Sequence, residues 1–170
     1  KYYQIGDQTG ISSLSAQQGE ALVAGPDELL VAPKLVALNN RDLQIINGVY
    51  GAKKPEQRIP LSEGVGEVIG IGANVTGFSV GDRVVCGHFL NWTGGAFGYH
   101  AFGDDLGVSR DGWLAEEMLI PASASVRVPS AVSDEQAATL AAAGLTAWNA
   151  LVEVGQIKAG DIVLCLGTGG

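Results

Sequence analysis

The chain has 170 residues, of which 46% are hydrophobic, so it can bury a core and is expected to fold as a globular protein. Its formal net charge of -8 repels phosphate backbones and anionic membrane surfaces, which excludes nucleic acid and membranes as expected partners. No apolar run approaches the roughly 20 residues that span a bilayer, and the first residues lack a secretory signal, so we expect a cytoplasmic protein.

The first part of the chain consists of short apolar segments separated by glycine, proline, aspartate and asparagine, which predicts a mainly β fold with some α. Strands are predicted for ALVA at 21–24, ELLVAP at 28–33 and KLVAL at 34–38. Pro33 suits a sheet edge or a bulge, because proline has no N–H for a strand ladder. Clustered glycines with apolar residues between them over 63–87 indicate bent strands around a small barrel.

Glycine, aromatic and polar residues follow one another without a sustained period over 87–112, which predicts a long loop. Its aromatic side chains either line an apolar substrate cleft or anchor the loop to the barrel. We favour anchoring, because buried aromatic side chains stabilise loops without any ligand. These side chains are Trp92, Phe97, Tyr99 and Phe102. Strand character returns over 115–129.

The hydrophobic period becomes helical after Pro129. Ser133 followed three residues later by Gln136 matches a capping box and predicts the start of a helix. A second helix is predicted over about 146–154, and Gly155 is expected to end it. No charged or proline-rich linker separates the two parts, so we expect the β-rich and helical segments to pack as one unit.

The last residues comprise a predicted turn at 159–160, an apolar run at 162–166 and a glycine-rich turn. A wholly apolar run of this length is typical of a strand buried in a parallel sheet. Gly167, Gly169 and Gly170 are candidate cofactor-binding residues, because glycine after such a strand lets backbone N–H groups approach a pyrophosphate. Taken alone, half a glycine fingerprint also fits a plain turn.

Four segments in order along the chain carry a resemblance to a known family. They are ALNNRDLQIINGVYG, IPLSEGVGEVIGIGANVTGFSVGDRVV, DGWLAEEMLIPASASVRVP and DEQAATLAAAGLTAWNALVEVGQIKAGDIVLCLGTGG. Over nearly the whole chain they resemble the medium-chain dehydrogenase/reductase family, and within it the quinone oxidoreductase-like and alcohol dehydrogenase-like branches. Several motifs in family order are far more specific than one glycine turn.

The resemblance implies a chaperonin-10-like (GroES-like) β-barrel domain over 1–130, which is the substrate-binding and catalytic domain. It assigns 131–170 to a helical junction, then the first strand and glycine turn of a truncated Rossmann α/β domain that binds NAD or NADP. The residues that select between NAD and NADP lie about 20 residues beyond the glycine turn, so the preference is unreadable here. We also expect a homodimer for the full-length protein and no activity from this 170-residue chain, which lacks a whole nucleotide domain.

Catalytic zinc in this family requires two thiolates and an imidazole around an open coordination position. By the resemblance, Asn39, Ser62 and Ala142 stand at those three ligand positions. Amide, hydroxyl and methyl groups cannot form that site, and the four cysteines of the structural zinc lobe are also missing, so no zinc is predicted. The alternative is a zinc alcohol dehydrogenase with misaligned ligands, which needs more than the two cysteines of this chain.

Other potential metal ligands lie in or beside the long loop. His88, His100 and Cys86 match no recognised ligand spacing, and we expect them to be ordinary loop residues or core. Cys86 and Cys165 form no Cys-x-x-Cys motif, so both are expected to be small buried apolar residues.

Without zinc, hydrogen bonds must polarise the reacting group. Asn39 is the candidate catalytic residue because its amide can donate such a bond; the alternative is a turn asparagine bonded to local backbone. Thr146 matches the family threonine beside the nicotinamide, and it could also cap a helix. Ser62 and Tyr50 are candidate substrate-binding residues, or else simple turn residues. Asp42 is expected mainly to cap its helix.

These features predict an NAD(P)(H)-dependent oxidoreductase that transfers hydride to or from an alcohol or carbonyl, a quinone or a conjugated alkene, without zinc. The expected partner is a small, largely apolar molecule held in a cleft between two domains. The alternative is a non-catalytic barrel module or an inactive fragment used for binding or assembly, because fold alone does not determine function.

Overall fold

The computed structural model describes residues 1–51 and 57–167, which form two antiparallel sheets. The smaller sheet pairs β1 (Tyr2–Ile5) with β2 (Leu14–Gln17), a pairing that the sequence analysis missed. The larger sheet contains β3 (Glu28–Ala37), β4 (Glu63–Ile71), β5 (Arg83–Cys86), β6 (Met118–Pro121) and β7 (Ser125–Arg127). Its spatial order is β6-β3-β4-β5-β7, and all its neighbours are antiparallel. The mainly β fold is confirmed.

The larger sheet curls so that its two edges approach each other. Strands β6 and β7 occupy opposite edges, yet only the 3-10 turn Ala122–Ala124 separates them along the chain. The Ser125 hydroxyl donates to the Pro121 carbonyl oxygen at 2.9 Å and joins these strand ends. Strong curvature needs close backbone approach, and a Cβ added to Gly64 would lie 2.8 Å from the Leu35 carbonyl oxygen. The predicted barrel of bent strands is therefore confirmed.

Strand β3 is one strand where the sequence predicts two. It runs through Pro33, and its register against β4 shifts between Pro33 and Leu35, as expected for a proline that cannot join the ladder. The strand predicted over 21–24 is wrong. Those residues have no facing strand, and Val23 is 82% exposed, so nothing would hold an extended ladder there.

Both faces of the sheet are covered, and neighbouring residues of β5 supply one side chain to each. Val84 is part of the central core, whose largest buried side chain is Trp113. Val85 packs on the other face with Ala137 and Ala138 of the helical segment. Alternation of successive side chains across a strand accounts for this division. The helical segment is thus packed against the barrel, as the absence of a linker predicts.

The helices begin and end close to the predicted positions. The capping box at Ser133 is confirmed: its hydroxyl oxygen accepts from the Gln136 N–H at 3.3 Å, and the Gln136 side chain accepts from the Ser133 N–H at 3.0 Å. The second helix extends to Gly155 as predicted but begins at Leu145, directly after a π-helical turn. The bounds are α1 (Asn40–Ile46), α2 (Asp134–Ala137), the π-helical turn Leu140–Gly144, α3 (Leu145–Trp148) and the π-helical turn Asn149–Val154.

The region 87–112 is a long loop, as predicted, with one short 3-10 helix at Tyr99–Asp104. The favoured interpretation that its aromatic side chains anchor in the barrel is wrong. They pack on one another and on Phe89, and each keeps a substantial exposed fraction because the barrel core does not reach them. The exposed fractions are 37% for Trp92, 47% for Phe97, 88% for Tyr99 and 45% for Phe102.

The last described residues do not form the predicted buried strand. The turn at Ala159–Gly160 is present, with Gly160 at φ +97°. The run 162–166 is exposed, with Ile162 at 98%, because the described residues offer it no strand to pair with. Gly167 has φ +82°, which favours glycine, whereas Gly169 and Gly170 lie outside the described residues. Within the described ranges, no helix has the length and apolarity that a membrane crossing requires.

Candidate functional site

Asn39 lies between β3 and α1, directly before the first residue of the helix, and it is half-buried. Its backbone is extended, at φ -112° and ψ 153°, as expected for the residue before a helix. The Asn39 backbone N–H donates to Asp42 Oδ2 at 2.8 Å, which confirms the capping role expected of Asp42. The Asn39 side-chain nitrogen has a different partner, because Nδ2 donates to Glu63 Oε1 at 3.0 Å. The amide nitrogen therefore has a second N–H beyond the one given to Glu63.

Asp42 and Ser62 form a buried pair beneath Asn39. The Ser62 hydroxyl donates to Asp42 Oδ1 at 2.8 Å, with Ser62 fully buried and Asp42 3% exposed. Burial raises the pKa of Asp42 above its usual value, while hydrogen bonds from Asn39 and Ser62 act in the opposite direction. In this conformation the Ser62 hydroxyl is hydrogen-bonded to Asp42 and is fully buried. A substrate could contact Ser62 only after the residues around Ser62 move.

Glu63 is the residue that the sequence analysis missed. Its side chain is fully buried at the start of β4, and its two carboxylate oxygens have different partners. Oε1 accepts from Asn39, and Oε2 accepts from the Ala142 backbone N–H at 2.7 Å. A charged residue at the start of a glycine-rich, largely apolar strand is the one signal in the sequence that could have singled it out, although the same strand also carries Glu67.

The three positions aligned with metal ligands converge in space. Asn39 and Ala142 both donate to Glu63, and Ser62 donates to the neighbouring Asp42. An amide nitrogen, a hydroxyl committed as a donor and a methyl group do not provide the thiolate and imidazole ligands that zinc takes in such a site. Among residues 1–51 and 57–167, no group of three or more His, Cys, Asp or Glu side chains is arranged to hold a metal ion.

Thr146 lies within α3 and not at its start, so the N-cap alternative for this residue is wrong. Its hydroxyl donates to the Ala142 carbonyl oxygen at 2.6 Å, one helical turn earlier. The residue is exposed, on a helical segment whose backbone is tied to Glu63 through the Ala142 N–H. The structure thus links Thr146, Ala142, Glu63 and Asn39 through consecutive hydrogen bonds.

Tyr50 lies beside a charged pair next to this network. The Arg41 guanidinium stacks over the Tyr50 ring at 5.0 Å from its centroid. Arg41 Nη2 also donates to both carboxylate oxygens of the fully buried Asp105, at 2.9 and 2.7 Å. The pair joins α1 to the end of the long loop. It was not predicted, since the two residues are 64 positions apart.

Burial shifts the pKa of both His88 and Cys86 toward the neutral form of each side chain. Burial, with a smaller contribution from the positive charge of Arg41, lowers the pKa of His88 to about 4, so its imidazole is neutral near pH 7. Burial raises the pKa of the Cys86 thiol to about 12. Cys86 is buried as predicted, whereas Cys165 is exposed because it lies in the unpaired run 162–166.

Comparisons with known proteins identify the family to which the chain belongs. The model of the alcohol dehydrogenase GroES-like domain matches residues 25–130. A zinc-type alcohol dehydrogenase-like protein of Schizosaccharomyces pombe is 38% identical over 172 residues, which cover 99% of this chain and 50% of that protein. The chain therefore spans half the length of this relative.

Solved structures are similar over the same region. An NAD-dependent alcohol dehydrogenase superimposes with a TM-score of 0.81 and 29% identity, covering 94% of this chain and 48% of that one. A quinone oxidoreductase of Pseudomonas syringae pv. Tomato DC3000 gives a TM-score of 0.72 and 29% identity, covering 93% of this chain and 42% of that one. The similarity thus extends beyond the barrel into the helical segment.

Proposed function

Because the chain belongs to the alcohol dehydrogenase GroES-like domain family, within the medium-chain dehydrogenase/reductase superfamily, we propose that the complete protein is an NAD(P)(H)-dependent oxidoreductase. It transfers hydride to or from an alcohol or carbonyl, a quinone or a conjugated alkene. The observation that carries this proposal is the convergence of Asn39, Ser62 and Ala142 on the carboxylates of Asp42 and Glu63, because the resemblance aligns these three residues with the family's zinc ligands.

The cofactor is NAD or NADP, bound mainly by the part of the protein that follows the barrel. A bound nicotinamide supplies or accepts the hydride. Thr146 is the proposed contact to the nicotinamide ring or ribose. Its side chain is exposed on α3, in the helical segment that follows the barrel. Gly167, Gly169 and Gly170 are the proposed pyrophosphate turn, and the left-handed backbone of Gly167 at φ +82° is compatible with such a turn.

Substrate polarisation comes from Asn39 and not from zinc. The relative from Schizosaccharomyces pombe is named as zinc-type, but this chain has no thiolate or imidazole at its three aligned positions. One Asn39 Nδ2–H is held by Glu63, and the second can donate to a substrate oxygen as negative charge develops on it. The hydrogen bond to the buried Glu63 keeps this donor in one orientation before the substrate arrives.

The substrate is a small, largely apolar molecule. Tyr50, stacked on Arg41 beside the network, is a proposed wall of its pocket, and Ser62 is a proposed contact that would require local movement. The complete protein is proposed to be a cytoplasmic homodimer, with residues 131–170 opening its nucleotide-binding domain.

The proposal is tested with the complete protein and cofactor labelled with deuterium at the nicotinamide C4. Quinones, conjugated enones, aldehydes and alcohols are offered as substrates with NADH, NADPH and their oxidised forms. With aldehydes and enones, mass spectrometry should find the deuterium in the reduced product at the carbon that accepts hydride, whereas quinone reduction and alcohol oxidation are followed by the absorbance of the reduced cofactor. A complete protein that binds neither nucleotide and reacts with none of these classes would contradict the proposal.

A further inference from the structure

The Glu63 carboxylate connects two parts of the chain that are far apart in sequence. Its partner Asn39 lies 24 residues before it, directly before α1, and its partner Ala142 lies 79 residues after it, in the π-helical turn. Both donors are neutral, and the carboxylate is fully buried. A buried carboxylate is costly to remove from water, so an apolar side chain would be the simpler way to fill this space.

The same contact fixes the orientation of the helix that carries Thr146. Ala142 donates its N–H to Glu63 and accepts the Thr146 hydroxyl at its carbonyl oxygen. One carboxylate therefore sets the position of the Asn39 amide on one side and of the turn before Thr146 on the other. The two N–H donors meet different oxygens of the carboxylate, so in this geometry a side chain needs an acceptor oxygen on each side to receive both.

We propose that Glu63 is a positioning residue that holds the substrate-side donor Asn39 and the cofactor-side Thr146 in a fixed relation. This inference rests on the proposed function, in which Asn39 contacts substrate and Thr146 contacts the nicotinamide. Hydride transfer requires reacting atoms about 3–3.5 Å apart, and a misplacement of about 1 Å can lower the rate about 10²-fold. Glu63 acts on that distance without touching either molecule.

The test is the variant Glu63→Gln in the complete protein. An amide replaces one oxygen with a donor, so either Asn39 or Ala142 loses its acceptor and the two sides separate. The readouts are the Kd for NADH or NADPH, kcat, and the primary isotope effect with cofactor deuterated at C4. We expect kcat to fall at least about tenfold and the isotope effect to rise, with a Kd within about twofold of wild type.

The matched control is Glu67→Gln, the same substitution on the same strand. Glu67 is half-exposed and pairs with Lys34 at 2.8 Å on the sheet surface, away from the buried network. Its kcat and isotope effect should equal those of the wild type. If Glu63→Gln does not fold, Glu63→Asp keeps both acceptor oxygens but is one methylene shorter, and the same loss of kcat with a raised isotope effect is expected.

The outcomes separate this role from the proposed function. A wild-type enzyme that turns over, with a folded Glu63 variant whose kcat and isotope effect are unchanged, overturns the positioning role alone, even if the melting temperature falls. A wild-type protein without nicotinamide binding or hydride transfer overturns the proposed function, and the positioning role with it.

Discussion

At the scale of single residues, Asn39 carries the chemistry that we assign to this barrel. Its amide gives one N–H to Glu63, and we propose that the other polarises the substrate oxygen. We predict that Asn39→Ala lowers kcat about 10²-fold, the typical cost of removing one preorganised donor to a developing oxyanion. Asn40→Ala is the control and should keep the kcat of the wild type. Asn40 follows Asn39 as the first residue of α1, and its side chain is exposed. Steady-state kinetics in which both variants match the wild type would remove Asn39 from the mechanism.

His88 gives a prediction about pH and stability. Its folded-state pKa of about 4 lies below the usual 6.5. Between these two pH values the imidazole is therefore protonated in the unfolded chain and neutral in the folded chain. The stability from neutral His88 is present above pH 6.5 and is lost as pH falls from 6.5 toward 4. Allowing for partial solvent exposure, we expect a loss of about 2 kcal/mol.

Urea unfolding at several pH values measures this loss. His88→Gln removes the titrating group, so its unfolding free energy should fall less than that of the wild type between pH 6.5 and 4. His100→Gln is the control, because His100 is exposed in the same loop. Parallel pH profiles for the wild type and His88→Gln would show that His88 is not held neutral by the fold.

At the scale of elements, Glu63 joins the barrel strand β4 to the helical segment. Glu63→Gln places an amide nitrogen against an N–H donor, and we predict that it lowers the free energy of unfolding by about 1–3 kcal/mol. Adding Asn39→Asp should restore stability, because the introduced amide then donates to the introduced carboxylate while its oxygen accepts from Ala142. Asn39→Asp alone should destabilise, since it places two carboxylates together.

A double-mutant cycle measured by chemical denaturation checks this coupling. We expect the sum of the two single losses of unfolding free energy to exceed the loss in the double variant. That difference corresponds to a favourable interaction between the side chains introduced at positions 39 and 63. Additive losses would mean that the two side chains do not interact in solution.

Elements with local signals were predictable from the sequence, and those that depend on distant partners were not. The Ser133 capping box and the register shift at Pro33 follow from residues within a few positions, and both are observed. The Asn39–Glu63 and Ala142–Glu63 bonds span 24 and 79 residues, so only the folded barrel reveals them. Among site residues, the sequence therefore indicated Asn39, Ser62 and Ala142 but not the carboxylate that connects two of them.

At the scale of the whole molecule, the main core lies in the barrel, and the last described apolar run packs on none of it. Leu145, Trp148 and the run 162–166 are exposed, although the barrel segment also exposes apolar side chains such as Val23 and Tyr99. The sequence predicted 162–166 as a buried strand, and its apolar character is clear. Burial of such a strand requires neighbouring strands, which are not among the described residues. In the proposed complete enzyme, the nucleotide-binding domain provides them.

Zinc dependence is the property that most directly distinguishes the proposed enzyme from a zinc alcohol dehydrogenase. The measurement is the turnover of the complete protein with NAD(P)H and its best substrate, together with its zinc content, before and after dialysis against a chelator. We predict substoichiometric zinc and unchanged turnover, because in the proposed mechanism the Asn39 amide, held by Glu63, polarises the substrate. One zinc per chain, with turnover lost on its removal and restored by its return, would contradict the proposed mechanism.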